Sequence, residues 1–404
     1  MNRLPAYSLF AAVINAAGLP IYIYAPKLYV DNYGVTLAAL GTMLFALRLL
    51  DVVQDPILGW ISERLGKARP VAVALAGALL AISMIGLFAI EPMFDPLLWF
   101  GLTLFGLFSA FSFLTINFYA QGIAKAGNDP KGHVKLAAWR ETGALLGICV
   151  AAVAPTLLMG YNFDAFTAFA WGFTAATVAA IIWMWPEWTS RVQTDPTPIR
   201  AIWNDSQARR LLLLALVNAT PLAVSSTLFL FYVESALGAV GWEGGLLVLF
   251  FLAAACSSPV WSKLAARFGE KPVLLVAMVL AILSFGFTAT LGQGDVILFA
   301  IVCVLSGATI GADLTLLPAL FAKRMSIIAP NGGQGFGLWS LVSKFTLAFA
   351  AVVLLPLLEG AGFRSGAENQ PAEAIETLVV LYALVPSALK LVAIALLAAT
   401  KLED

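Results

Sequence analysis

The chain has 404 residues, 61% of them apolar and only 11% charged, with a mean hydropathy of +0.91. Soluble domains carry about 25% charged residues, so this composition belongs in lipid and excludes an ordinary soluble enzyme or binding module. Lys+Arg 23 balance Asp+Glu 23, which leaves no basic excess for nucleic acid. Cys149, Cys256 and Cys303 each sit in an apolar run without CxxC spacing and read as small packing residues. With His133 as the single histidine, a zinc cluster or a histidine-dependent triad is not expected.

A hydrocarbon core of roughly 30 Å needs about 20 apolar residues in helix. Segments of that kind occur at 5–29, 36–61, 71–90, 97–123, 134–158, 165–185, 210–233, 244–266, 273–291, 296–321, 334–358 and 377–400. The first carries Arg3 ahead of an apolar run, as a signal peptide does, but its length and the eleven segments that follow make it helix 1. Basic residues collect in alternate breaks: Arg64, Lys67 and Arg69; Lys125, Lys131 and Lys135; Arg191, Arg200, Arg209 and Arg210; Lys263, Arg267 and Lys271; Lys323 and Arg324; with Arg3 and Lys401 at the ends. The opposite breaks hold only Lys27 and Arg364. By the positive-inside rule both termini are cytoplasmic, as for a multi-pass protein of an inner membrane.

The longest break contains Pro186, Pro196 and Pro198 and divides the helices six and six, giving an N-terminal bundle 1–185, a cytoplasmic linker 186–209 and a C-terminal bundle 210–404. The halves repeat. DPILGWISERLGKARP ends helix 2 and SPVWSKLAARFGEKP ends helix 8, so that Pro56, Arg64 and Gly66 match Pro259, Arg267 and Gly269 at one constant offset. A basic, glycine-containing turn at both places resembles the loop signature of the major facilitator superfamily.

Charges inside the spans need partners or a watery cavity, because each costs at least about 2.5 kcal/mol at mid-membrane. Helix 2 carries RLLDVVQD: Asp51 and Asp55 are one turn apart on one face and Arg48 lies one turn before Asp51. Paired carboxylates hold a monovalent cation or share a proton; a salt-bridge cluster that only pins helices is the alternative. Lys344 lies too deep in helix 11 to snorkel and needs an acid. In helix 5, Arg140 faces the cavity while Glu141 points elsewhere or snorkels. Helix 10 carries Asp313, opposite Thr115 of helix 4 when the two halves are aligned, and Lys390 of helix 12 reads as structural or snorkelling. Trp139 and Trp339 are flat surfaces for a ligand or for packing. Asn15, Tyr22 and Tyr24 on helix 1, Asn117, Tyr119 and Gln121 on helix 4, and Asn218, Ser225, Ser226 and Thr227 on helix 7 add neutral hydrogen-bonding groups.

YVDNYGVTLAALGTMLFALRLLDVVQDPILGWISER, INFYAQG with AAWRETGALLG, the doubled turn, and GFGLWSLVSKFTLAFA together resemble the glycoside-pentoside-hexuronide:cation symporters, the melibiose-permease branch of the major facilitator superfamily. The resemblance implies an all-α membrane protein with twelve transmembrane helices in two six-helix bundles. It implies Asp51 and Asp55 as ligands of a coupling cation, Arg48 and Lys344 as their charge partners, and Arg140 near a sugar. Where the family has an acid on helix 1 and another on helix 4, this chain has Asn15 and Thr115. Thr115 falls beside the cation ligands, and Asn15, Tyr119, Arg140, Trp339 and Asp313 form the expected substrate set. Two lost carboxylates weaken the case for a galactoside and tilt the ion towards H+ over Na+.

The expected function is secondary active transport, a cation-coupled symport of a sugar, glycoside or other small polar solute. A lysophospholipid-like solute and an uncoupled exporter or flippase are the alternatives. No large polar loop is present to house a membrane enzyme. No cofactor is expected beyond the coupling ion. The expected partners are a small-molecule substrate, that cation and membrane lipids, with no nucleic acid, and the expected state is a monomer.

Overall fold

A computed structural model describes residues 3–18, 21, 24–127, 129–158, 164–188, 199–363 and 370–400, which are helical with no strand among them. Tyr22, Arg191, Pro196, Pro198, Arg364 and Lys401 lie outside the described residues, as does much of the expected linker.

The helices, in chain order, are α1 Leu4–Ala16, α2 Ala25–Tyr33, α3 Leu37–Arg64, α4 Arg69–Phe88, α5 Pro96–Ala126, α6 Pro130–Leu158, α7 Ala165–Met184, α8 Ile199–Asn204, α9 Ser206–Phe231, α10 Glu243–Phe268, α11 Glu270–Gly286, α12 Val296–Ile328, α13 Gly333–Gly360, α14 Ala372–Val379 and α15 Val385–Ala399. Every expected span has its counterpart. Ten described stretches, from Gly66–Phe88 to Ala372–Ala399, are long and apolar enough to cross a membrane. The other two spans are α1 with α2, and α3, whose Arg48, Asp51 and Asp55 lower its hydropathy. The first span, expected as one helix over 5–29, is represented by α1 and α2, and part of the stretch between them lies outside the described residues.

Helix ends follow from local chemistry. Asp95, Asp164 and Asp205 cap α5, α7 and α9 by accepting from free backbone N–H groups, as Asp205 does from Ala208 N at 2.7 Å. The two glycines of the repeated turn have positive φ, +47° at Gly66 and +90° at Gly269. A side chain disfavours that backbone, which explains why glycine recurs there.

The chain forms two compact units: Met1–Asn204 with Ala322–Leu341, and Asp205–Phe321 with Val342–Asp404. The end of α12 and the start of α13 thus cluster with the first unit. In that unit α1 lies against α6 with almost no gap. A Cβ on Gly143 would stand 2.1 Å from Ser8 O, and one on Gly147 2.1 Å from Ala12 O. Four-residue glycine spacing lets two backbones touch, as in many membrane helix pairs. The second unit repeats the device with Gly307 and Gly311 of α12, where a Cβ would stand 2.2 Å from Phe250 O and 2.8 Å from Ala254 O.

The second unit also contains two π-helical turns, Tyr232–Ala236 after α9 and Val380–Leu384 between α14 and α15. They meet through Tyr232 and Tyr382, whose rings stack at 4.2 Å. Phe285 and Phe299 pack around this pair in the core of the unit.

The glycine contact is testable by overpacking. Gly147→Ala is expected to destabilise the first unit by about 1–3 kcal/mol and lower the melting temperature of detergent-purified protein. Gly172→Ala, which on α7 meets nothing within 4 Å, should leave it unchanged or raise it slightly, because alanine is the better helix former.

Candidate functional site

The polar residues of α3 face inward. Asp51 is 1% exposed and Asp55 0%, whereas Val53 on the opposite face is 62% exposed and Trp60 43%. Gly59, Ser62 and Glu63 continue the buried polar stripe at helical spacing. Each member has a partner. The Arg48 guanidinium donates to Asp51 Oδ2 at 3.2 Å, lies 4.9 Å from the centre of the Phe108 ring and interacts electrostatically with Asp55. Ser340 Oγ donates to Asp55 Oδ2 at 2.6 Å. Ser62 Oγ donates to Asn117 Oδ1 at 2.8 Å, and Glu63 Oε1 accepts from Gln334 N at 2.9 Å.

Glycines make this proximity possible. A Cβ on Gly59 would lie 2.7 Å from Gly333 O, and one on Gly337 2.9 Å from Asp55 O. The first turns of α13 therefore press against α3, and Ser340 reaches a carboxylate that no sequence spacing links to it. Lys344, one turn further along α13, is buried and belongs to the second unit.

A second cluster lies on α5 and α6 of the same unit. The Arg140 guanidinium sits 3.6 Å from the centre of the Tyr119 ring. Glu141 Oε1 accepts from Arg140 Nε at 2.8 Å and from Tyr119 Oη at 3.1 Å. Sequence periodicity sends Glu141 elsewhere; in the structure it is buried with Arg140. Adjacent helix positions diverge by about 100°, but the long guanidinium arm folds back, and burial gives both charges reason to pair. The aromatic surface continues from Tyr119 to Phe336 at 4.7 Å and on to Trp339 at 6.4 Å. Trp139 is exposed. Arg140 Nη2 and Thr115 Oγ1 are buried without a hydrogen-bond partner among the described residues, and Thr115 is one turn from Tyr119 on α5. This is a cationic donor, an acceptor and an aromatic platform with hydrogen-bonding capacity left over.

The expected residues thus fall into groups. Arg48 and Asp51 are in contact with each other, Asp55 is on their face, and Tyr119 and Arg140 are joined with Phe336 and Trp339 beside them. Asn15 donates its amide to Ala11 O of its own helix at 2.9 Å. Asp313 is in the second unit, ion-paired with Lys390, which also donates to Asn218 Oδ1 at 2.7 Å. Lys390 is therefore held inside the bundle instead of snorkelling. The sequence reading missed Ser340, Glu63, Gln334 and Phe336; Glu63, in helical register with Asp51 and Asp55 at the end of α3, was the available signal.

A family model described as "MFS/sugar transport protein" matches residues 6–404. The chain belongs to this family. The match bears out the resemblance read from helices 2, 4, 5 and 11, and the protein is a multi-pass membrane transporter of the major facilitator superfamily, not an enzyme. The inner membrane symporter YicJ of Escherichia coli (strain K12) is 23% identical over 402 residues, 91% of this chain and 84% of that protein. Among solved structures, a bacterial homologue of the iron transporter ferroportin in an outward-facing state superposes with a TM-score of 0.71 at 14% identity, over 98% of each chain. The E. coli fucose:proton symporter FucP gives a TM-score of 0.68 at 12% identity, again over 98% of each chain. At these identities the structures show a shared fold.

The buried pair on α6 makes a stability prediction for this family member. Glu141→Gln leaves the Arg140 charge unpaired and is expected to cost about 3–5 kcal/mol. The double variant Arg140→Met, Glu141→Gln should recover part of that loss, measured by thermal melting as a double-mutant cycle.

Proposed function

We propose that this transporter is a symporter in which a coupling cation, H+ or Na+, binds at Asp51 and Asp55 and drives accumulation of a sugar, glycoside or other small polar solute. The observation that carries the reading is the pair of fully buried carboxylates one turn apart on α3, in a helix whose other face is apolar. A cation or proton between them reduces their repulsion and lowers the cost of closing the bundles around solute. Linkage then requires solute to tighten ion binding by the same factor. Thr115 and Asn15 in place of acids leave fewer hard oxygen ligands and favour H+.

The solute is assigned to the face formed by Tyr119, Arg140, Phe336 and Trp339, with Thr115 one turn from Tyr119 on α5. A sugar ring offers an apolar face to the aromatics and hydroxyl oxygens to Arg140 Nη2. The names of the relatives support symport: YicJ is called a symporter and FucP a fucose:proton symporter. The basic turns around Arg64, Lys67 and Arg69 and around Lys263, Arg267 and Lys271 favour an inner-membrane orientation with both termini in the cytoplasm.

A melting-temperature screen of sugars, glycosides, nucleosides and lysolipids, with and without sodium at two pH values, identifies solute and ion together. With that solute in proteoliposomes, Asp55→Asn is expected to abolish uphill uptake driven by a pH or sodium gradient while downhill equilibration persists. Undiminished uphill uptake overturns the coupling assignment.

A further inference from the structure

The second unit has a partly open cavity of about 70 Å³ between α9, α10, α11, α12 and α15, with Asn218, Asp313 and Lys390 in its wall. The space is large enough to admit water. Asp313 is 6% exposed and Lys390 5%. Lys390 Nζ donates to Asp313 Oδ2 and Asn218 Oδ1, yet Asp313 Oδ1, fully buried, has no hydrogen-bond partner among the described residues. A carboxylate oxygen held in the protein interior with its lone pairs empty is costly unless something donates to it.

The rest of the polar lining is also short of donors. Ser306 Oγ spends its proton on Val302 O, Thr309 Oγ1 on Ser306 O, Ser225 Oγ on Pro221 O and Ser387 Oγ on Ala383 O. Their oxygens remain as acceptors. The site therefore fits a small species that brings protons, such as water or hydronium.

We propose that Asp313 is a proton-binding site of the second bundle, supplied through water in this cavity, with Lys390 turning to Asn218 and the hydroxyl oxygens when the proton is bound. Hydronium gives its proton to Asp313 Oδ1, leaving a neutral carboxylic acid and a water. The ammonium of Lys390 then loses its counter-ion. The surplus acceptors of the lining let it stay charged, which an apolar wall would not. Among the described residues no other ionisable group lines the cavity. On the elements that form it, Arg209, Arg210, Glu243, Lys263, Arg267, Glu270, Lys271, Lys323 and Arg324 stand near helix ends, and Cys303, Tyr232, Glu234 and Tyr382 lie outside the lining. The inference is independent of the reading of α3, because every group in it belongs to the second unit.

Infrared difference spectra of the full protein in proteoliposomes, recorded between mildly alkaline and mildly acidic pH, test it. Wild type is expected to gain a protonated-carboxyl band on acidification. The component of the band that belongs to Asp313 should be lost in Asp313→Asn and kept in Asp55→Asn, whereas any component from the α3 pair should change only in the latter, so the two carboxyl assignments fail separately. Asp313→Glu, which keeps an acid at the site, should move the band instead of removing it, and serves if Asp313→Asn does not fold. A carboxyl signal unchanged in both Asp313 variants overturns the proposal and leaves Asp313 a permanently ionised half of a structural pair.

Discussion

Putting a charge where water cannot follow is the constraint on which this molecule depends. On α3 the outward face is Val53, Ile57 and Trp60, and the inward face carries Asp51, Asp55 and Glu63. The helix is thus turned inside out relative to a soluble one, and its stability rests on what the inward groups find. Arg48 answers Asp51, Ser340 answers Asp55, and the Gln334 backbone answers Glu63. Removing water from such groups costs several kcal/mol per ion before any pairing is counted, so chance contacts do not suffice. The glycine contact of Gly59 with Gly333 is the geometric condition that lets these partners arrive together.

The two bundles satisfy the same constraint differently. In the first, charge is buried in closely bonded groups: a guanidinium stacked on Tyr119 and bonded to Glu141, which also takes the tyrosine hydroxyl. In the second, Asp313 and Lys390 come from distant helices and meet beside a cavity, with one carboxylate oxygen left over. In the first arrangement both charges are paired on adjacent positions of one helix, and what is left over is a donor, Arg140 Nη2. The second has spare acceptors, and spare acceptors are what allow a proton inventory to change.

The sequence revealed the helices because hydropathy is local: every expected span is a helix or a pair of helices, and the glycine turns stand where the repeat put them. Charges inside spans were equally visible, which is why Arg48, Asp51, Asp55, Arg140 and Asp313 could be named. Their partners were not. Ser340 meets Asp55 across a sequence separation of 285 residues, and nothing in α13 announces which of its serines will do so. Glu141 was misdirected for the opposite reason: helical periodicity separates neighbours, but it describes Cβ directions and ignores the reach of an arginine. The spacing of Gly143 with Gly147 and of Gly307 with Gly311 carried information about helix contact, though not about which helix each pair would touch.

The π-helical turn at Val380–Leu384 acts as a phase setting. A π turn takes up about one residue more than an α turn, and one residue corresponds to about 100° of rotation about the helix axis. Everything after Leu384 is therefore rotated relative to an uninterrupted helix starting at Ala372. Lys390 comes six residues later, and its bearing towards Asp313 and Asn218 is inherited from that offset. The stacked tyrosines that clamp the turn to its counterpart at Tyr232–Ala236 thus fix the compass direction of a charge more than a full helical turn away.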